Sequence, residues 1–78
     1  MKKTTEVKSA QIREENGRSY VWITGNQDGW STGQVLCDVH EVSGVLVLMS
    51  PFNHRPMAVV ADRGQLADWV QAKTGVRP

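Results

Sequence analysis

The 78-residue sequence predicts an α+β fold: an antiparallel sheet of four to five strands, opening as a β-hairpin and continuing as a meander, with one C-terminal helix packed on one face. Three observations lead there. Asn16-Gly17 is the pair that a two-residue type I′ hairpin turn favours, because both central residues need positive φ. Apolar, β-branched runs recur between residues 35 and 61, punctuated by Ser43-Gly44 and by a proline-bounded stretch at 51–56. Leu66, Trp69 and Val70 then fall on one helical face, between an Asp62 suited to start a helix and a Gly75 suited to end one. Strands first and a helix last is the order of a helix laid over one face of a sheet.

With Asn16 and Gly17 as the turn, Glu15 faces Arg18, and counting outward pairs Arg13 with Tyr20, Ile12 with Val21, Gln11 with Trp22 and Ala10 with Ile23. Side chains alternate along a strand. Ala10, Ile12, Val21 and Ile23 therefore share an aliphatic core face, and Gln11, Arg13, Tyr20 and Trp22 an aromatic and polar one. From Gly25 to Gly33 the composition is that of a loop carrying Trp30. Val35, Cys37 and Val39 alternate with Leu36, Asp38 and His40, which gives a third strand with one mostly apolar side. Val45 to Met49 is apolar on both faces and reads as an interior strand. Neither Pro51 nor Pro56 can donate to a ladder, so the segment between them is a connection, and Met57 to Ala61 is a short fifth strand or a loop. Asp62 followed three residues later by Gln65 has the form of a capping box, and the helix is expected from about Arg63 to Thr74, over the aliphatic face of the first hairpin. Gly64 is tolerated in the first turn, and Gly75 supplies a left-handed cap.

Length allows one core, so residues 1–78 form a single domain, with about 1–4 and 77–78 expected to be loosely ordered. A chain this short buries only about 60% of the surface its unfolded form exposes, which keeps homodimerisation open as a source of further burial. Nine Lys and Arg against eight Asp and Glu leave a net charge of +1, too little for a long-range field toward nucleic acid or an anionic membrane. The single Cys37 cannot form an internal disulfide, in keeping with a reducing, cytoplasmic setting. Lys2 and Lys3 are followed by polar residues rather than the apolar core of a signal peptide, and Val45–Met49 is too short to span a bilayer.

Cys37 and His40 invite a metal or nucleophile reading. Three residues apart on a strand they point to opposite faces, and with His54 elsewhere they fall short of a zinc set. General acid–base work needs carboxylates in an apolar cleft, whereas Glu14 and Glu15 flank a turn, Asp62 caps a helix and Asp68 lies on its polar side. Asp38 and His40 share a strand face, more in the manner of a solvated edge than of a dyad. No phosphate loop, nucleophile elbow or dinucleotide fingerprint occurs, so no enzymatic activity, metal or cofactor is expected.

Tyr20 and Trp22, with Arg13 opposite Tyr20, predict an aromatic patch of the composition that dominates protein interfaces. The alternative is that the loop carrying Trp30 covers Trp22 in a small second core. Phe52, His54 and Arg55 form a second candidate, in a loop stiffened by flanking prolines, unless Phe52 tucks into the core. The expected function is a non-enzymatic protein-binding module, a small regulator or inhibitor that covers a partner's surface through Tyr20, Trp22, Arg13, Trp30, Phe52, His54 and Arg55. In length, single domain and lack of catalytic groups the chain is similar to small accessory proteins of phages and mobile elements, anti-CRISPR-type inhibitors among them, a likeness of composition that rests on no motif. Two alternatives stand beside it. One is single-stranded nucleic-acid binding, with bases on Tyr20 and Trp22 and phosphates on Arg13, Arg18 and Arg55. The other is a structural homodimer through strand edges or the Val42, Val45 and Val47 face.

Overall fold

Asn16 and Gly17, with φ of 52° and 78°, reverse the chain between β1 (Thr5–Glu15) and β2 (Arg18–Gln27). The computed structural model describes residues 5–27 and 30–78, and the side chains of residues 7–25 and 33–78. Ser43 and Gly44 make the same kind of bend between β3 (Trp30–Val42) and β4 (Val45–Met49), and β5 (Pro56–Val60) and α1 (Arg63–Thr74) follow. All neighbours are antiparallel and lie in chain order, β1-β2-β3-β4-β5, a five-stranded meander with one helix. The opening hairpin has the expected register, including Arg13 opposite Tyr20 and Gln11 opposite Trp22.

Three irregularities re-aim side chains along this sheet. The ladder slips past Lys8 in β1, past Leu36 in β3 and past Met57 in β5. An extra residue breaks simple alternation, so that residues on either side of it no longer keep the faces that counting assigns. Beyond Leu36, Val35 stands opposite Trp22 on the face away from the core, whereas Cys37 stands opposite Val21 inside it. The expectation that Val35, Cys37 and Val39 share one side is corrected accordingly. Leu36 itself packs against the core.

The loop expected from Gly25 to Gly33 is also corrected, apart from residues 28–29, which lie outside the described residues. Gly25 to Gln27 complete β2, Trp30 to Gly33 begin β3, and Gln27 faces Trp30. Asp28-Gly29 between them is itself a favoured hairpin pair, and its signal was masked by the Asn, Gln, Ser and Thr around it. Polar strand arms resemble a loop in composition alone.

The helix packs where the aliphatic hairpin face leads it. Leu66 and Val70 are fully buried against Ala10, Val21, Ile23, Cys37, Leu48 and Val60, with Trp69 partly buried beside them. Its start is fixed twice: Asp62 Oδ1 accepts from the Gln65 N–H at 2.9 Å, and Gln65 Oε1 accepts from the Ala61 N–H at 2.9 Å. Its end is a left-handed Gly75, φ 80°, whose N–H donates to Gln71 O at 2.7 Å. Arg77, expected at a loose end, donates to Asp68 at 2.7 Å and to Gln71 at 3.2 Å. Residues 1–4 lie outside the described residues. No helix among the described residues is long and apolar enough to cross a membrane.

Candidate functional site

The helix covers one face of the sheet, and among the described residues no other element lies on the second. Pairing across the strands places Gln11, Arg13, Tyr20, Trp22, Val35, Asp38, His40, Val42, Val45, Val47, Met49 and Val59 on that second face by their cross-strand partners. It divides into two halves. Over β1 and β2 it is aromatic and cationic, and over β3 to β5 it is mainly aliphatic, with Asp38 and His40 on β3 between the two.

In the aromatic half, the Arg13 guanidinium lies 5.1 Å from the centre of the Trp22 ring, and the Arg18 guanidinium 5.1 Å from that of Tyr20. Arg13 Nε donates to Gln11 Oε1 at 3.0 Å. Arg18 donates to Asp38 Oδ1 through Nε at 2.9 Å and Nη2 at 2.6 Å. Asp38 was expected at a solvated edge. It is only 8% exposed instead, because the neighbouring strand aims Arg18 at it and the charge is answered locally. Tyr20, flanked by Arg13 and Asp38 in the ladder and topped by Arg18, is 7% exposed, so it supports the patch rather than offering a free ring.

Trp22 remains half-buried, and a specific feature holds it. A Cβ on Gly33 would overlap the six-membered ring of the indole, so the ring rests on bare backbone in β3. Glycine in a strand often marks such a close approach. The side chain of Trp30 lies outside the described residues, and with it the alternative that Trp30 covers Trp22.

The aliphatic half carries Val42 and Val59, exposed by 51% and 61%, and the β5 bulge adds Met57. Beyond it the β4–β5 connection turns Phe52 fully outward, 85% exposed, so the expectation that it tucks into the core is not met. The loop backbone is closed on itself. Ser50 N–H donates to Arg55 O at 2.8 Å, His54 N–H to Ser50 O at 3.0 Å, and Arg55 N–H to Asn53 Oδ1 at 3.0 Å. His54 adopts a left-handed φ of 57° to allow this, and both His54 and Arg55 are exposed. Proline at each end was the sequence signal for stiffness. The Asn53 side chain and the left-handed His54 are what satisfy the loop's backbone.

Cys37 and His40 point to opposite faces, one buried and one exposed. Burial, and secondarily the Asp38 charge, push the Cys37 thiol up to about 12. A thiol held protonated is a poor nucleophile. Among the described residues no three His, Cys, Asp or Glu side chains gather as metal ligands.

Counting along strands missed a second concave region, on the helix side. A cavity of about 360 Å³ opens between the first turn of α1 and the top of the sheet, with Ile12, Val39, Leu46 and Leu66 among its walls. No motif marks it in the sequence, because its residues come from five separate elements and two connections. No family model, curated protein or solved structure matches this chain.

Proposed function

We propose that this chain is a non-enzymatic protein-binding module that covers a partner's surface with the bare face of its sheet, anchored by Phe52. The observation that carries the reading is Phe52 itself, a phenyl ring 85% exposed on a loop whose backbone is already hydrogen-bonded. A large apolar side chain turned out to water is not explained by packing, and a loop whose backbone is already ordered loses little entropy on docking. Trp22, Val42, Met57 and Val59 extend the apolar surface, and Arg13 and Arg55 give it polar rims. Covering of this kind is how a small regulator or inhibitor acts.

Nucleic acid fits this face less well than protein does. The rings that would stack on bases already carry the Arg13 and Arg18 guanidiniums, and Arg18 is held by Asp38. Binding should accordingly show weak dependence on salt, against the steep loss that phosphate contacts impose.

The test is a comparison of three baits in a native lysate: wild type, a Phe52→Ala, Val59→Lys double variant of the bare face, and Asp68→Ala on the helix side. The expected result is a protein retained by wild type and Asp68→Ala and lost from the double variant, whose altered residues are exposed and leave the fold intact. Equal recovery on all three baits contradicts the assignment.

A further inference from the structure

The cavity beneath the helix start lies away from the bare face, and its shape follows from what the sequence leaves out. The first turn of α1 reads Arg63-Gly64-Gln65 and offers no large apolar side chain before Leu66. Ile12, Val39 and Leu46 are therefore only partly covered, although all three pack against the core. Gly44, on the β3–β4 turn at the same end, adds no side chain to close the mouth, and a Cβ there would meet nothing within 4 Å. The result is an apolar floor of about 360 Å³, near the lower end of the range for ligand sites, about 300–1,000 Å³.

Charge at the rim is unequal. Glu14, Glu41, Asp62 and Arg63 all line the cavity. Arg63 pairs with Glu14. Asp62 is engaged by the Gln65 N–H, and as the cap it also faces the positive end of the helix. Glu41 is exposed, and among the described residues no cation pairs with it. A greasy floor with a carboxylate at its edge that no described cation answers complements a chain that is aliphatic along its length and cationic at its tip. That is the chemistry of lysine and arginine, whose stems lie on apolar surface while the charged end stays at the water boundary.

We propose that this notch receives a lysine or arginine side chain of a partner polypeptide, with the stem on Ile12, Val39 and Leu46 and the cation at Glu41. Anionic groups are disfavoured there by the carboxylates, and a purely apolar side chain leaves Glu41 unanswered. The site stands on the opposite side of the sheet from Trp22 and Val59, so it does not depend on the function proposed above.

Titration of the isotopically labelled protein with acetyl-Gly-Lys-Gly-amide, followed by amide chemical shifts, tests it. Companion peptides carry norleucine or glutamate at the central position. The expected result is shifts centred on Ile12, Val39, Leu46 and Leu66 with the lysine peptide, and binding weaker by roughly threefold or more for norleucine, a difference in the range of one exposed ion pair. Glu41→Gln, an exposed change that leaves the fold intact, should abolish the preference for lysine over norleucine. Equal binding of all three peptides, an unchanged preference in Glu41→Gln, or shifts confined to the Tyr20 and Trp22 face would each overturn the proposal. Binding of n-hexylammonium without the lysine peptide would assign the notch to a small amine and overturn polypeptide docking.

Discussion

Single residues in this protein owe their behaviour to which face of the sheet they occupy. Cys37 and Asp38 are adjacent in the chain, yet one is sealed in the core and the other is bound by Arg18 on the far side. The consequence for Cys37 is measurable. Its thiol is raised from the ordinary 9.0 to about 12 in the folded protein, so on raising the pH the unfolded chain loses the proton first. The native state is therefore fully favoured below pH 9 and loses stability from there up to about 12, by about 1.4 kcal/mol per pH unit. Urea unfolding of wild type and Cys37→Ala between pH 7 and 11 checks this. The wild type should lose more stability than the variant on the alkaline side, and parallel curves would show that the thiol is not held protonated by the fold. Gly33 makes the same point in another way: with no side chain of its own, it provides the seat for the Trp22 indole.

At the level of elements, turns and caps decide where the chain bends. Asn16-Gly17, Ser43-Gly44 and Gly75 all take positive φ, and each was identifiable from residue type. The helix bounds were equally legible, since Asp62, Gln65 and Gly75 act directly on the backbone groups that α1 leaves unpaired. Asp62→Ala should cost about 1 kcal/mol in urea unfolding, within the range for lost N-caps, while Asp62→Asn should recover most of it. No loss in the alanine variant would mean that α1 is fixed by its packing alone. What residue types did not reveal were the bulges at Lys8, Leu36 and Met57, because an extra residue in a ladder has no compositional mark. The hairpin between β2 and β3 was hidden for a related reason. Asp28-Gly29 carries the signal, but the arms around it are polar and lack the alternation that normally frames a strand.

At the scale of the whole molecule, one helix cannot cover both sides of a five-stranded sheet, and it packs on the side bearing Ala10, Val21, Ile23 and Leu48. The candidate surface was legible only in outline. Register placed Tyr20 and Trp22 together, but sequence could not show that Arg13, Arg18 and Asp38 close around Tyr20, nor that the loop at 50–55 turns Phe52 outward. Those outcomes depend on side chains from different strands meeting, which no local pattern encodes. Whether this second face is open in the protein on its own is read from paramagnetic relaxation of methyl and aromatic-ring signals with a neutral gadolinium chelate in solution. The Val42 and Val59 methyls and the Phe52 ring should be strongly attenuated at every protein concentration, with Leu48, Leu66 and Val70 protected. Protection of Val42 and Val59 equal to that of Leu66 would show the face already covered, by a second copy or by the chain itself, and would contradict the proposed function.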